Sequence, residues 1–411
     1  MIPIKLVGID LPTNKSGGVA SSASSGVALS VLPPLSLYVH FPWCIKKCPY
    51  CDFNSHEHKE AQNFTDLESM YVDALIKDLE YSLPKIWGRK IHSIFFGGGT
   101  PSLFSGKAIQ KILSQVRALT PILYDAEITL EANPGTIDAH HFESYKDAGV
   151  TRVSLGIQSF NDIHLKALGR IHDSSEAKKG IEIAMRHFDE VNLDLMYALP
   201  HQTLDEAIDD AKNAISFNTQ HLSFYHLTIE PNTYFFKHPP KLPLDDESAV
   251  MQETIEDILN QHGYEHYETS AFAKPKSQCE HNLNYWQFGD YLGIGAGAHS
   301  KLTFHDKRSR ESRYKNPKQY MEKVVTQNMI ESETIIHEND LAFEFMMNHL
   351  RLTDGFTIQS FEEKTGLNIS MIDKELKAAI DKKLITMDHE MIKPTLLGQR
   401  FLNDLLGIFL K

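Results

Sequence analysis

Between Leu37 and Leu227, short apolar runs alternate with amphipathic stretches, and no other feature of the chain constrains its fold as strongly. The runs are Leu37–Phe41, Ile91–Phe96, Glu127–Glu131, Arg152–Ile157, Val191–Leu195 and Leu222–Leu227. Between them lie helical patterns at 67–83, 108–119, 140–148, 162–168, 174–187 and 204–217. The first places Tyr71, Leu75, Leu79 and Leu83 one turn apart, so that they share a face. Regular alternation of this kind calls for a parallel sheet with helices outside it. Six strand units fall short of a closed eight-stranded barrel. The expected fold is therefore α/β, a partial (β/α)6 barrel open enough for a large ligand. Periodicity alone leaves a doubly wound sheet as the alternative.

Polar and glycine-rich motifs recur where these strands end: Gly97-Gly98-Gly99-Thr100-Pro101, Glu131-Ala132-Asn133-Pro134, Gly156-Ile157-Gln158-Ser159 and Asp194. Parallel barrels keep their chemistry at the carboxyl ends of their strands, so the motifs predict one site at one pole. Behind the first strand comes Cys44-Ile-Lys-Lys-Cys48-Pro-Tyr50-Cys51. Thiolates this close repel each other and are costly to ionise unless a metal neutralises them. Three cysteines suit a cubane iron–sulfur cluster with one iron left open for a cofactor. A zinc site completed by His56 or His58 is the competing reading, and the spacing favours the cluster.

Four cysteines in all, three of them clustered, do not form a disulfide framework. They point to a reducing compartment, the cytoplasm, which an oxygen-sensitive cluster also needs. The formal net charge of −13 speaks against a broad phosphate-tracking surface, so nucleic acid is not an expected partner. No apolar run approaches the roughly 18 residues a membrane helix needs. The Ser/Gly/Ala-rich residues 1–35 read as a disordered leader. The expected organisation continues with a barrel core at 36–230, a barrel extension at 231–335 and a C-terminal helical domain at 336–411.

In the extension, Tyr291–His299 is glycine-rich and suits a close backbone approach. Cys279-Glu-His281-Asn282-Leu-Asn-Tyr285-Trp286 sets a histidine beside aromatic rings. Such a histidine is either a satisfied structural residue or an axial ligand to haem iron with the rings on the macrocycle. A ligand of ordinary pKa would be lost below about pH 6. Past Asn339 come helical patterns at Leu341–Leu350, Ile358–Thr365, Ser370–Lys382 and Leu396–Phe409, with a hairpin at 384–393. Together they suggest a winged-helix-like module, and balanced charge favours a lid or docking role.

Taken in order, Tyr38-Val-His40-Phe-Pro-Trp43-Cys44, Cys48, Cys51, Gly97–Pro101, Glu131–Pro134, Gly156–Ser159, Gly169-Arg170 and Asp194 resemble radical S-adenosylmethionine (SAM) proteins of the oxygen-independent coproporphyrinogen oxidase group. The resemblance runs from about Leu35 to the C-terminus. It implies that Cys44, Cys48 and Cys51 hold a [4Fe-4S] cluster whose open iron chelates the methionyl group of SAM. It further implies that Gly98, Gly99 and Thr100 present backbone polar groups to that amine and carboxylate. Glu131 and Arg170 would supply opposite charges near the methionyl and ribose groups, and Gln158 and Asp194 would hydrogen-bond. Tyr38 would pack beside the cluster and Tyr50 near adenine. Within the group, Cys51-Asp-Phe53-Asn-Ser55 and His281-Asn282-Leu-Asn-Tyr285-Trp286 are similar to its haem-chaperone branch. That branch implies haem as cargo, His281 as its ligand, and a haem-accepting respiratory enzyme as partner. The alternative is the oxidase itself, which oxidatively decarboxylates coproporphyrinogen III. The oxidase carries a further cysteine where this chain has Phe53.

Overall fold

The computed structural model describes residues 32–58, 64–136 and 138–410. The expected leader falls almost wholly outside the described residues; its last residue, Leu35, opens the first strand. Six parallel strands follow in chain order: β1 (Leu35–Phe41), β2 (Ile91–Gly98), β3 (Ile122–Ala132), β4 (Arg152–Gln158), β5 (Glu190–Tyr197) and β6 (His221–His226). The helices between them are α1 (Phe64–Ser82), α2 (Gly106–Leu119), α3 (Ala139–Ala148), α4 (Asp162–Ala167), α5 (Ser174–His187) and α6 (Leu204–Ser216). Their starts are written in the sequence. Asp173 with Glu176, and Thr203 with Glu206, form capping boxes that satisfy otherwise unpaired N–H groups.

Alternation along each strand separates two environments. Leu37, Val39, Ile94, Phe96, Leu130, Leu155, Leu193 and Leu195 are buried in the core shared with the helices. The residues between them, Tyr38, Phe95, Glu131, Ser154 and Asp194, project from the opposite, inner face. A half-polar parallel strand is unusual, because such sheets are normally apolar on both faces. Here the inner face lines a site.

The sheet does not stop at six strands. The extension adds β7 (Glu265–Glu268), β8 (Ala271–Ala273), β9 (Asp290–Ile294), β10 (His299–Thr303), β11 (Arg308–Arg313) and β12 (Ile330–Ile335). The twelve run β12-β11-β10-β9-β1-β2-β3-β4-β5-β6-β8-β7. β9 lies parallel to β1, with Tyr38 opposite Gly293, while the outer strands are antiparallel. The glycine-rich Tyr291–His299 segment is thus part strand and part turn. Its close approaches are to the chain itself: a Cβ on Gly295 would lie 2.6 Å from His40 O.

Asp78 of α1 and Arg313 of β11, both fully buried, pair at 3.1 Å. Asp78 also accepts from Tyr320 Oη and the Gly295 N–H, and so fixes the turn after β9. Asn54 donates to Ala296 O and Lys315 O, tying the tail of the cysteine loop to that turn.

The C-terminal unit has its own core, in which Phe345, Phe356, Phe361, Leu405 and Phe409 pack together with Phe288. A small antiparallel sheet joins Phe356–Thr357, Met391–Pro394 and Ile385–Asp388. The single last helix expected at 396–409 is two helices, Leu396–Arg400 and Leu402–Phe409. Phe401 leaves helical geometry between them at φ −106°, ψ 43°.

Candidate cofactor site at the mouth of the barrel

β1 runs directly into the cysteine loop, which main-chain bonds hold against the end of β2. Gly99 N–H donates to Phe41 O at 2.6 Å and Thr100 N–H to Trp43 O at 2.8 Å. This seam is what requires glycine. A Cβ on Gly99 would lie 2.6 Å from Trp43 O. Gly98 has φ +117°, and its Cβ would meet the His40 ring at 2.5 Å. The N–H groups of Gly98, Gly99 and Thr100 are all engaged within the chain, Gly98 with Glu131 Oε2 at 3.1 Å. Thr100 O is engaged as well, by the Leu103 N–H, so what the loop could offer a ligand is the carbonyl oxygens of Gly98 and Gly99, which suit an ammonium and not a carboxylate. That narrows the role expected of these three residues.

Cys44, Cys48 and Cys51 are free thiols, all half-buried, on this loop. Burial raises the pKa of Cys44, and the neighbouring Cys48 adds to the effect. Burial likewise pushes Cys51 up to about 11, and both other thiols push the same way. A cationic centre at the loop would favour the thiolate forms of Cys44 and Cys51 against this burial. Among the described residues, no three His, Cys, Asp or Glu side chains converge as a single metal ion would need. His58 sets its ring edge-on to Phe64 at 4.9 Å, and its Nδ1, like Nε2 of His56, is buried without a partner. Three thiols from one loop are a soft donor set, which suits an iron–sulfur cluster.

The strand-end residues surround the loop. Arg170 places Nη1 3.7 Å from Cys48 Sγ and donates from Nη2 to Gly156 O at 2.8 Å, while its Nε is buried without a partner. Gln158, at φ +69°, closes β4 beside it. Thr100, Asn133 and Arg170 line a small cavity together with Cys48 and the exposed Ile45. Deeper on the inner face, burial raises the pKa of both Glu131 and Asp194, and Asp194 adds to the shift of Glu131. Two desolvated carboxylates this close favour a cationic guest. Tyr38 is buried beside them, its hydroxyl 3.0 Å from His40 Nδ1. Tyr50 lies on the other flank, half-buried against Leu168, Met196 and Phe235.

His281 lies on the Tyr38 side of these residues. It lies on a short helix, Glu280–Trp286, with its imidazole 3 % exposed and stacked on Phe95. Neither ring nitrogen has a hydrogen-bond partner. Burial holds its pKa at about 3, so the ring is neutral. Cys279, just before it, is buried with its Sγ 3.3 Å from Glu127 Oε1, at the start of the inner part of β3 and not at the cluster loop.

The sequence does not single out Phe95, Ser154 and Asn192. Each lies two residues from a residue already singled out, or from a glycine of the loop, on the same strand. Period-two alternation was the signal that would have found them.

A profile described as the radical SAM superfamily matches residues 38–214, and one described as the HemN C-terminal domain matches 336–401. The Heme chaperone HemW of Haemophilus influenzae is 47% identical over 385 residues, covering 92% of this chain and 98% of that one. Its counterpart from Escherichia coli is 48% identical over 384 residues, with 92% and 99% covered. The solved structure of coproporphyrinogen III oxidase (HemN) from Escherichia coli superposes with a TM-score of 0.79. Its identity is 24%, and 93% of this chain and 92% of that chain are covered. That likeness establishes the shared fold.

A cysteine triad behind the first strand of an open barrel, carried by such a sequence, defines a radical SAM protein. More narrowly, the chain belongs to the family of the heme chaperone HemW.

Proposed function

We propose that this chain is a haem chaperone that binds haem and hands it to haem-requiring respiratory proteins in the cytoplasm, and that it carries a [4Fe-4S] cluster and SAM. The observation that carries the cofactor reading is the seam between the cysteine loop and the glycine loop. In its support, Gly98 N–H donates to Glu131 and the Arg170 guanidinium lies beside Cys48. The haem reading rests on the relatives named as heme chaperones and on an imidazole left buried without partners.

Cys44, Cys48 and Cys51 hold the cluster, which supplies an open iron for the methionyl amine and carboxylate of SAM. The carbonyls of the Gly98-Gly99 loop accept from the ammonium. Glu131 and Asp194 offset the positive charge of the sulfonium compound. Arg170 remains as a cation beside Cys48, with one donor free. Gln158 hydrogen-bonds at the end of β4, Tyr38 closes the inner side and Tyr50 the adenine side. His281 supplies a neutral imidazole to haem iron.

The competing activity is oxidative decarboxylation of coproporphyrinogen III. Anaerobic incubation of the reconstituted protein with SAM, a reductant and coproporphyrinogen III separates the two. The expected result is no protoporphyrinogen, together with transfer of haem from the loaded protein to an apo-respiratory enzyme. Turnover without haem transfer would assign the chain to the oxidase reaction.

A further inference from the structure

The inner face holds a line of buried polar groups that the cofactor ring does not use. Asn192 of β5 is 5 % exposed, His221 of β6 1 % and Tyr267 of β7 3 %. Asn192 Nδ2 lies 2.8 Å from both Asp194 Oδ1 and Ser154 Oγ. Ser154 in turn donates to Asp194 Oδ2 at 2.6 Å. On its other side, Asn192 Oδ1 is 2.6 Å from His221 Nδ1 and 3.2 Å from the Ser223 hydroxyl. His221 Nε2 is 2.9 Å from the Tyr267 hydroxyl, which accepts from the Cys279 N–H at 3.2 Å.

Every donor in this line can be assigned by exclusion. A carboxylate only accepts, so the Asn192 NH2 group faces Asp194. The amide oxygen then faces His221, which must carry its proton on Nδ1. Nε2 is left as an acceptor, and the Tyr267 O–H fills it. The bonds therefore run in one direction, from the Cys279 backbone through Tyr267, His221 and Asn192 to Asp194. At its far end, Tyr267 O accepts from the N–H of Thr353 in the C-terminal unit. An apolar set would fill the same volume with no desolvation to offset. What the polar set adds is a fixed orientation for one carboxylate.

We propose that Tyr267, His221 and Asn192 are positioning residues that aim the Asp194 carboxylate for SAM. This rests on the reading of Asp194 as a SAM-site residue given above. Removing the Nδ1–H donor leaves Asn192 Oδ1 held only by the longer bond from the Ser223 hydroxyl, and the amide that donates to Asp194 is then loosely aimed.

The test uses full-length, anaerobically reconstituted protein, with SAM affinity read by equilibrium dialysis. Iron content and thermal midpoint are followed in parallel. His221→Leu fills the space without a donor. His221→Asn places an amide N–H where Nδ1 stands. Tyr267→Phe removes a single oxygen and decides the matter if His221→Leu does not fold. We expect His221→Leu to weaken SAM binding about tenfold with iron content unchanged, since the amide that donates to the charged Asp194 is no longer held. We expect Tyr267→Phe to weaken it about threefold, since His221 keeps its Nδ1–H and loses one neutral bond. We expect His221→Asn to stay within about twofold of the wild type, by the same bond retained. The proposal is overturned if His221→Leu and Tyr267→Phe bind as the wild type does, or if His221→Asn falls as far as His221→Leu. Iron-replete wild type that binds no SAM would overturn the cofactor reading itself, and this proposal with it.

Discussion

The ring of His281 stacks on that of Phe95, centroids 4.6 Å apart and 27° from parallel, on the inner face of the barrel. Tyr38 approaches the same ring at 6.4 Å. An imidazole buried with both nitrogens unpartnered costs about 1–3 kcal/mol relative to a satisfied one. Its helix is pinned from both sides. Asn284 donates to Ser36 Oγ at 2.8 Å and Asp290 O at 2.9 Å, and Asn348 of the C-terminal unit donates to Tyr285 O at 3.0 Å. For haem to reach His281, this helix has to unlatch. Asn284→Ala should therefore speed haem association by stopped-flow absorbance without weakening the final complex. An unchanged rate would show that the helix is not the gate.

The burial of His281 also sets its pH behaviour and replaces the expectation drawn from an ordinary histidine. With the resting pKa held at about 3, protons compete for the ring only well below pH 5. Haem affinity should therefore be flat from pH 7.5 to 5.5. A ligand with an unshifted pKa near 6.5 would lose roughly tenfold over that interval. Titrations at both pH values decide between them.

Cys44→Ala, Cys48→Ala and Cys51→Ala should each abolish a cluster of about four irons per chain, counted after anaerobic reconstitution. Cys279→Ala should keep the full iron content, because Cys279 bonds Glu127 and not the loop. Loss of iron in that variant, or zinc in the purified wild type, would contradict the assignment.

At Gly99 a single methyl is enough for a test. Its Cβ would press on Trp43 O and Phe41 O, the carbonyls that seat the cysteine loop. Gly99→Ala should therefore lower iron retention as well as SAM binding. Full iron content with SAM binding alone reduced would mean that the glycine serves the cofactor and not the seam.

These positions show how much of the site was legible in the sequence. The six strand cores and the helices between them follow from period and capping, and β4 was read within one residue at its end (Ile157 against Gln158). The strand-end motifs do converge at one pole. The second partner of β1 was not legible. β9 pairs with it from more than 250 residues away, and a glycine-rich stretch carries no mark of which backbone it approaches. Nor could spacing reveal that the N–H groups of the glycine loop are already engaged, or that Phe95 covers His281. Both depend on side chains and carbonyls brought in by other strands.

Asp78→Ala tests what holds the extension to the barrel. It would leave Arg313, itself fully buried, without its main counter-charge. Breaking such a pair costs about 3–5 kcal/mol, so the thermal midpoint should fall by several degrees. A midpoint within about one degree of wild type would show the pair to be dispensable.

The most direct measurement is an anaerobic haem titration of cluster-loaded wild type beside His281→Ala, followed through the Soret band. The account predicts saturation at about one haem per chain for the wild type, and roughly tenfold or weaker binding for His281→Ala at equal iron content, as loss of an axial ligand requires. Identical isotherms for the two proteins, or no saturable binding by the wild type, would contradict it.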